Sequence, residues 1–429
     1  MNYLIIGGVA GGATVAARLR RMDEKANIIL FERGKYVSYA NCGLPYYIGD
    51  TINNREKLFV QTAKGFTDRF RIDIRTEQEV TAIRPDKKEV EIKNLSTGET
   101  YTETYDKLVL SPGAEPLRPS IEGIGSKKIF TLRNVPDTDT IKNYVNTENP
   151  KRAIVVGGGF IGLEMAENLH DLGIQVDVVE MANQVMAPLD FSMAAIVHRQ
   201  LTDKGVGLHL EDGVSRFEEK DGGVTVHLRS GKQIATDMVL LSIGVRPETK
   251  LAKDAGLAIG ERGGITVNDY MQTSDANIYA LGDAVEVRHL VTGQPALIPL
   301  AGPANKQGRI VADNIVFGNK EKYPGSIGTS IAKVFDLTVA AAGANAKLLQ
   351  RNNIPYISSY TLSCRILSGS RSPVHQNIVR SGKREIIRRP DCRLQRCRQT
   401  YRDAGTSDTA RRYSPRPGGI GTCLCTSLF

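Results

Sequence analysis

Residues 153–181 read AIVVGGGFIGLEMAENLHDLGIQVDVVEM, and this stretch decides the fold class. An apolar run ends at Gly157, and Gly159 and Gly162 complete the pattern G-x-G-x-x-G before a helical stretch. A second apolar run ends in an acid, Glu180. Strand, glycine-rich turn, helix and strand in this order predict a βαβ unit that binds a dinucleotide. The glycines let the backbone approach a pyrophosphate, and the helix N-terminus supplies unpaired N–H groups.

The same plan opens the chain. The apolar run Tyr3–Ile6 precedes GGVAGGATVAARLRRM, and a second run ends at Glu32, which is placed to accept hydrogen bonds from a ribose. The spacing of Gly7 and Gly12 fits the motif, although Val9 takes the place of the middle glycine. Two such units, about 150 residues apart, indicate that the protein holds two dinucleotides. One would be a transient hydride donor and the other a resident acceptor.

Two acids refine this prediction. Met181 and Ala182 follow Glu180, and an acid without a neighbouring arginine favours a free 2′-hydroxyl over a 2′-phosphate. NADH is therefore the expected hydride donor, with NADPH as the alternative. The stretch TSDANIYALGDAVEV, residues 273–287, puts Asp283 in a Gly-Asp turn after a strand. A carboxylate there can hold a polyol hydroxyl of a bound flavin, which would be the resident acceptor.

Length and charge limit the number of domains and the kinds of partner that the protein can have. A chain of 429 residues predicts two or three domains. The net charge of +9 suggests a nucleic-acid partner, but residues 365–429 hold 14 Lys and Arg against 4 Asp and Glu, leaving 42 and 43 in the preceding residues. The main body is therefore neutral, and we expect no nucleic-acid partner. No apolar run reaches about 18 residues and the N-terminus shows no export signal, so we expect no membrane association and a cytoplasmic protein.

Cys42 lies in SYANCGLPYYIGD, residues 38–50, and the next five positions carry no second cysteine. One interpretation is a buried small residue before Gly43. The other is a redox-active thiolate, because Pro45 lies where a turn or helix can begin and backbone N–H groups there stabilise a thiolate. Tyr47 stands where a two-cysteine motif places its second sulfur. A single thiolate then needs an external partner, either the sulfur of a small thiol or oxygen.

Six segments together carry a family resemblance, and they span residues 1 to about 362. The chain resembles the flavin-dependent pyridine nucleotide–disulfide oxidoreductases, and most closely the coenzyme A-disulfide reductases and related persulfide reductases. The matching segments are IIGGVAGGATVAARLRR, SYANCGLPYYIG, IVVGGGFIGLEMAENL, LSIGVRPE, YALGDA and IAKVFDLTVAAAGANAKLL.

The resemblance implies site residues. FAD would lie in the first unit and NAD(P)H in the second, with Phe160 and Glu164 near the stack of nicotinamide and flavin. The implied cofactor-binding residues are Gly7, Gly8, Val9, Ala10, Gly11, Gly12, Glu32, Arg33, Gly157, Gly159, Phe160, Ile161, Gly162, Glu164, Glu180, Gly244, Gly282 and Asp283. The implied substrate-binding residues are Thr14, Arg18, Arg21, Ser38, Asn41 and Asn305. No metal site is expected.

The resemblance also implies a reaction. Electrons would pass from NADH through FAD to a mixed disulfide of Cys42 and coenzyme A, and the Cys42 thiolate would attack the next disulfide or persulfide. Arg18 and Arg21 would bind phosphates of coenzyme A, since a guanidinium binds phosphate bidentately; without the family, a solvated helix face explains both. The alternatives are an NADH oxidase that cycles through a Cys42 sulfenic acid and, if the C-terminal region is defective, a flavoprotein without turnover.

The expected fold class is α/β, with two Rossmann-like domains for FAD and NAD and a truncated α+β dimerisation domain. Relatives are homodimers whose last domain ends with tyrosines that reach the partner's flavin site. We assign residues 1–151 and 269–322 to the FAD domain and 152–268 to the NAD(P)H domain. Residues 323–363 would begin the dimerisation domain, and 364–429 would form an atypical tail.

The tail differs in composition from the body. Residues 365–429 hold 13 Arg and one Lys, and five of the six cysteines lie at or after Cys364. The stretch RRPDCRLQRCRQTYRDAGTSDTARRYSPRPGG has no sustained period of 2 or 3.6. Cys392, Cys397, Cys423 and Cys425 do not form a convincing zinc pattern. A basic arm, a disordered extension and a reading-frame shift near codon 364 are the three interpretations, and the frameshift fits the abrupt change best. It would impair the dimer interface, and translating the gene in another frame tests it.

Overall fold

A computed structural model describes residues 1–362, 374–380, 386–388 and 391–392. No helix among these residues is both long and apolar enough to cross a lipid bilayer. The helices are α1 (Ala10–Met22), α2 (Leu44–Ile48), α3 (Ala63–Phe70), α4 (Val135–Glu148), α5 (Phe160–Asp171), α6 (Phe191–Asp203), α7 (Lys250–Asp254), α8 (Ala301–Phe317) and α9 (Ala346–Arg351).

The strands form several sheets, most of them in the two nucleotide units. They are β1 (Asn2–Ile6), β2 (Asn27–Glu32), β3 (Asp73–Thr76), β4 (Gln78–Arg84), β5 (Glu89–Asn94), β6 (Thr100–Thr104), β7 (Lys107–Leu110), β8 (Ala114–Pro116), β9 (Ile129–Thr131), β10 (Arg152–Val156), β11 (Gln175–Val179), β12 (Gly207–His209), β13 (Val214–Lys220), β14 (Gly223–Leu228), β15 (Gln233–Thr236), β16 (Met238–Leu241), β17 (Val245–Pro247), β18 (Ile265–Thr266), β19 (Ile278–Ala280), β20 (Val285–Arg288), β21 (Pro295–Leu297), β22 (Ser330–Val334), β23 (Leu337–Ala341), β24 (Tyr356–Leu362), β25 (Val374–Arg380), β26 (Ile386–Arg388) and β27 (Asp391–Cys392).

The first unit is built on a parallel sheet in the order β19-β7-β1-β2-β3. Its central strand β1 pairs with β2 through Leu4↔Ile29 and with β7 through Leu4↔Leu108. These strands are almost fully buried. Helix α1 packs on β1 and β2, and buried side chains of β4 and β5, among them Val80 and Ile92, belong to the same core cluster, as expected for a parallel sheet with both faces packed. Strand β19 comes from a distant part of the sequence, so the unit closes only when the chain returns after the second unit.

The second unit repeats this architecture with the parallel order β12-β11-β10-β16-β9. Helix α5 packs on its central strands, as α1 does in the first unit. Each unit also carries a three-stranded antiparallel sheet, β4-β5-β6 in the first and β13-β14-β15 in the second. The predicted fold class of two Rossmann-like dinucleotide-binding domains is confirmed.

A two-stranded ribbon joins the two units. It pairs β8 with β17 in antiparallel register, Glu115 opposite Arg246. Strand β8 follows Gly113 and strand β17 follows Gly244, and both glycines have positive φ, 81° and 120°. In both turns a strand runs into small residues and then proline, SPGAEP at 111–116 and SIGVRP at 242–247. The chain therefore crosses between the units at one place, where both of their sheets end.

The last sheet continues beyond the boundary that the sequence analysis set at residue 363. Its order is β22-β23-β27-β25-β24, and β26 pairs with β25. Strand β25 pairs with β24 along its full length, and Gln376 and Ile378 in it are buried. Strand β27 falls inside the stretch in which the sequence signalled no strand. Hydrogen bonds to β23 and β25 form it, and local periodicity does not report such long-range pairing. The rest of the tail lies outside the described residues.

The first unit contains a buried arginine with a structural role. Arg20 on α1 is only 9% exposed. Its guanidinium donates to five backbone carbonyl oxygens, those of Phe70, Asp23, Glu24, Ala26 and Arg71. These bonds tie the C-terminal end of α1 to the turn before β2 and to the end of α3.

Replacing Arg20 with methionine is expected to lower the free energy of unfolding by about 3–5 kcal/mol, because several carbonyls lose their charged donor. Arg20→Lys should recover only part of the loss, since one ammonium cannot reach all five acceptors. Urea unfolding followed by flavin release measures the effect. Arg246→Met, at an exposed position, is the control; equal midpoints for all variants would contradict the assigned role.

Candidate active site

The glycine-rich turn of the first unit requires glycine for two separate reasons. Gly7 has φ of 95°, and its N–H donates to the Phe31 carbonyl oxygen of β2 at 2.8 Å. A Cβ on Gly12 would lie 1.8 Å from the Gly7 carbonyl oxygen, so α1 packs directly on the turn. Glu32 closes the arrangement, because its Oε2 accepts the N–H of Gly8 at 2.9 Å. The acid at the end of β2 is thereby fixed beside the turn, where a ribose would bind.

The second unit reproduces this geometry. Gly157 has φ of 106°, and a Cβ on Gly162 would lie 2.0 Å from the Gly157 carbonyl oxygen. Glu180 Oε2 accepts the N–H of Gly158 at 2.8 Å, and its Oε1 accepts the N–H of Ala182 at 2.8 Å. The two units share both the close approach of helix to turn and the position of the acid, so both fit a dinucleotide.

The remaining predicted residues of the glycine-rich turns lie where the turns meet their helices. Val9 is the N-cap of α1 and Ala10 its first residue, while Gly159 is the N-cap of α5. Phe160 and Ile161 are the first two residues of α5. The backbone N–H groups of these positions open each helix and provide the donors that a pyrophosphate requires.

Asp283 lies on the first unit, after β19. Gly282 before it has φ of 79°, and its N–H donates to Gln307 Oε1 of α8 at 2.8 Å. Burial raises the pKa of Asp283 to about 6, and Arg133 opposes the effect. This half-buried carboxyl lies two residues after Leu281, which packs against Gly11. It fits the predicted contact with a flavin polyol, because a hydroxyl donor would stabilise its charged form. The residues of this unit fit FAD.

Arg33 is bound to acids of the ribbon between the units. Its guanidinium donates to both carboxylate oxygens of Glu248, at 2.8 and 2.9 Å, and to Glu115 at 3.3 Å. Arg133 donates to Glu248 as well, at 3.1 Å. Because Arg33 and Arg133 share these acids, the predicted cofactor contact of Arg33 would have to form beside ion pairs that hold the two units together.

The segment that carries Cys42 is attached to the first glycine-rich turn. Ser38, with φ of 49°, donates its N–H to the Gly8 carbonyl oxygen at 2.9 Å. Cys42 is half-buried in a short 3-10 turn, Asn41–Gly43, that leads directly into α2. Lys142 of α4 holds the other end of α2, because its Nζ donates to the Tyr47 carbonyl oxygen at 2.9 Å. Cys42 therefore lies close to the proposed flavin site on a fixed segment.

Glu164 belongs to α5 of the second unit, which packs against the segment that carries Cys42. It lies in the first turns of α5, and α5 packs against α2 so closely that a Cβ on Gly49 would meet Asn168 at 2.3 Å. Burial raises the pKa of Glu164 to about 8, and negative charge on Cys42 and on Glu167 adds to the effect. A carboxyl that keeps its proton near neutral pH thus adjoins the cysteine.

The predicted substrate residues of α1 face α8. Thr14 and Arg18 are one helical turn apart, and Arg21 lies on the same side and is exposed. Thr14 donates its hydroxyl hydrogen to Asn305 Oδ1 at 2.8 Å. Arg18 forms a bidentate ion pair with Asp313, an acid that the sequence analysis did not select. Of the six residues, Thr14, Arg18 and Asn305 lie where α1 packs on α8. Arg21 packs over Phe70 of α3, and Ser38 and Asn41 lie on the Cys42 segment.

Comparison with known proteins identifies the family. Residues 1–308 match the family described as "Pyridine nucleotide-disulphide oxidoreductase". The chain belongs to this family. It is accordingly an NAD(P)H-dependent flavoprotein oxidoreductase that takes FAD, which confirms the predicted enzyme class and cofactors.

Individual members of the family are similar over most of the chain. Coenzyme A disulfide reductase of Staphylococcus aureus (strain JH9) is 32% identical over 388 residues, which are 90% of this chain and 87% of that protein. The structure of reduced Bacillus anthracis CoADR-RHD is 52% identical with a TM-score of 0.89, covering 91% of this chain and 71% of that one. An NAD-dependent persulfide reductase from A. fulgidus is 36% identical with a TM-score of 0.90, covering 94% and 75%.

This oxidoreductase is expected to prefer NADH. Two backbone N–H groups hold the Glu180 carboxylate in place, and this charge would repel a 2′-phosphate at the ribose site predicted beside it. We expect kcat/KM to be at least about 10-fold higher with NADH than with NADPH. Glu180→Gln combined with Met181→Arg should reduce or reverse that ratio, since Met181 is 65% exposed and has room for the larger side chain.

The control for this prediction is Glu32→Gln, which changes the equivalent acid of the FAD unit. It should alter FAD retention and leave the ratio of the two nicotinamide substrates unchanged. Initial rates of flavin reduction by each nucleotide give the measurement. A wild-type preference for NADPH would contradict the role assigned to Glu180.

Glu164 also predicts a pH dependence of stability. The folded carboxyl keeps a proton up to about pH 8, whereas its ordinary pKa is 4.5. Its favourable contribution is therefore complete below about pH 4.5 and is lost as the pH rises to about 8. Glu164→Gln should be as stable as wild type near pH 5. Near pH 8.5 its free energy of unfolding should exceed that of wild type by about 1–3 kcal/mol.

Thermal unfolding across this pH range measures the difference. Glu261→Gln, at an exposed position, should follow the wild-type curve. Cys42→Ser should show a weaker pH dependence than wild type, because the thiolate charge contributes to the raised pKa. A constant difference between Glu164→Gln and wild type at every pH would show that Glu164 does not keep its proton.

Proposed function

We propose that this oxidoreductase uses NADH to reduce a coenzyme A-linked disulfide or persulfide, with Cys42 as the reacting sulfur. One observation carries the proposal: the Cys42 segment is bonded to the FAD turn through Ser38 and packs against α5 of the NAD unit. The cysteine therefore adjoins both dinucleotide sites. Similarity to coenzyme A disulfide reductases and to a persulfide reductase supports the substrate class.

FAD, when bound, carries two electrons from NADH towards the sulfur. The Cys42 thiolate attacks one sulfur of R–S–S–R′, forms Cys42–S–S–R and releases R′–S⁻, which takes up a proton. Two electrons and a second proton then convert Cys42–S–S–R into the Cys42 thiolate and R–SH. In sum, NADH, one proton and a disulfide give NAD⁺ and two thiols. Glu164, which keeps a proton near neutral pH, is a suitable donor to the departing thiolate.

The surface where α1 meets α8 is the proposed binding site for the rest of coenzyme A. Thr14, Arg18 and Arg21 would contact it from α1 and Asn305 from α8, with Ser38 and Asn41 nearer the sulfur. Arg21 packs its guanidinium over the ring of Phe70, 5.5 Å from the centroid. This stacking fixes part of the side chain and favours its use as a phosphate ligand.

Assembly as a homodimer belongs to the same proposal. The last sheet presents exposed apolar side chains, Ile331 at 51% and Ile357 at 63%. A surface of this kind fits an interface between subunits, and an altered tail would weaken it. Light scattering on the purified protein distinguishes a stable dimer from a monomer or an aggregate.

The proposed function is tested by the oxidation of NADH with different acceptors. Coenzyme A disulfide, a coenzyme A persulfide, glutathione disulfide and oxygen are compared at equal concentration. Turnover that requires either coenzyme A substrate supports the proposal. Steady NADH consumption with air alone supports an oxidase instead, and a single reduction of the flavin without turnover supports a protein that does not act as a reductase.

A further inference from the structure

The ion pair between Arg18 and Asp313 lies at the surface where α1 meets α8, the surface to which coenzyme A is assigned. Arg18 Nε donates to Asp313 Oδ1 at 2.8 Å and Nη2 to Oδ2 at 2.9 Å. The Arg18 side chain is 34% exposed and that of Asp313 is 19% exposed. The pair is thus partly shielded from water, and its two parallel hydrogen bonds give it the strongest geometry available to these groups.

The two helices that carry the pair are held at a fixed distance. A Cβ on Gly308 of α8 would lie 2.9 Å from the Gly11 carbonyl oxygen of α1 and 3.2 Å from Thr14 Cβ. The hydrogen bond between Thr14 and Asn305 is a second link, one turn along each helix. Because the backbones approach this closely, the two helices hold Asp313 beside Arg18.

Asp313 therefore acts on any phosphate that reaches Arg18. The pair occupies the edge of the guanidinium formed by Nε and Nη2, which is one of two edges able to bind an oxyanion bidentately. A phosphate on the other edge meets a cation whose charge is already balanced. It is also repelled by the carboxylate that the same guanidinium holds.

We propose that Asp313 limits the preference of this site for phosphorylated disulfides, by weakening the binding of coenzyme A phosphates at Arg18. This inference rests on the proposed function. It assigns the main phosphate contact to Arg21 and a reduced one to Arg18. The inference also explains why an acid lies here. The product thiol carries the same phosphates as the substrate, so a weaker phosphate contact lets it dissociate faster.

The test measures binding to the FAD-bound protein by calorimetry, with S-methyl coenzyme A and with pantetheine, which has no phosphates. Asp313→Asn should bind S-methyl coenzyme A about 5- to 20-fold more tightly than wild type. The gain should shrink at high salt, and pantetheine affinity should stay constant. Arg18→Gln combined with Asp313→Asn should lose the gain, because the acid acts through Arg18.

Asp254→Asn is the matched control, since it removes the same charge from another ion pair, with Lys250 on α7. It should leave both affinities unchanged. Unchanged or weaker binding of S-methyl coenzyme A by Asp313→Asn, or an equal gain in the double variant, would overturn the inference. Thermal unfolding identifies a misfolded variant, and Asp313→Ser, which also removes the charge, then provides the test.

If the proposed function is wrong, NADH oxidation and ligand binding give a different result. In that case neither wild type nor any variant oxidises NADH with coenzyme A disulfide, and S-methyl coenzyme A binds to none of them, which also overturns the inference. When turnover is present and Asp313→Asn binds as wild type does, only the inference about Asp313 fails.

Discussion

Replacing Cys42 with serine is expected to lower disulfide reduction by at least about 1,000-fold, while FAD stays bound and NADH still reduces it. The serine hydroxyl has nearly the same size, so the turn Asn41–Gly43 and the packing of α2 should be retained. A hydroxyl cannot form the mixed disulfide through which the electrons would leave. NADH-dependent reduction of ferricyanide does not need that sulfur and should remain within about 2-fold of wild type.

The measurement compares these two activities on the same preparation. Cys364→Ser is the matched control, because it removes a thiol from the part of the chain where the other cysteines cluster. It should retain disulfide reduction. Retained turnover of coenzyme A disulfide in Cys42→Ser would overturn the assignment of Cys42 as the reacting sulfur.

The same variant separates the reductase from the oxidase. If Cys42 cycles through a sulfenic acid, air-driven oxidation of NADH disappears together with the sulfur. If oxygen reacts slowly at the reduced flavin, a small oxidase rate survives in Cys42→Ser. Trapping the wild-type protein with a sulfenate reagent under air gives an independent result for the first case.

The sequence predicted those parts of the site that lie within one βαβ unit. Gly7, Gly12 and Glu32 lie within 26 residues of one another, and local chain geometry brings them together once strand, turn and helix form. The same holds for Gly157, Gly162 and Glu180. Motif spacing could report these contacts because the backbone itself makes them, through bonds such as that of Gly8 N–H to Glu32.

The partners of charged side chains could not be predicted in this way. Arg18 and Asp313 are 295 residues apart, and Arg33 and Glu248 are 215 apart. These pairs form because α8 and the ribbon return to the first unit, which no local pattern reports. Asp313 lies four residues after Arg309 on α8, so from the sequence alone it looks like an ordinary half of a surface pair.

The strands beyond residue 363 show the same limitation. Strand β25 contains Gln376, whose Nε2 donates to Asp190 Oδ2 at 2.8 Å in the second unit. That contact and the pairing with β24 depend on sequence-distant partners. The composition changes after residue 364, but composition alone does not determine whether a segment pairs as a strand.

Replacing Gly12 with alanine is expected to abolish FAD binding and with it every NADH-dependent activity. The added Cβ would lie 1.8 Å from the Gly7 carbonyl oxygen, and backbone cannot yield as a flexible side chain can. Either α1 or the turn must move, and both belong to the proposed pyrophosphate site. Purified Gly12→Ala should hold less than roughly 10% of the wild-type FAD.

Gly162→Ala places the same strain in the second unit, with its Cβ 2.0 Å from the Gly157 carbonyl oxygen. It should retain FAD and raise the NADH concentration needed for flavin reduction by at least about 100-fold, since the distorted turn is the one assigned to NADH.

Gly125→Ala is the control, because no atom lies within 4 Å of its added Cβ. FAD absorbance and flavin reduction by NADH distinguish the three variants. Loss of FAD from Gly162→Ala and its retention by Gly12→Ala would reverse the assignment of the two units, because each substitution acts only on the turn that its own helix covers.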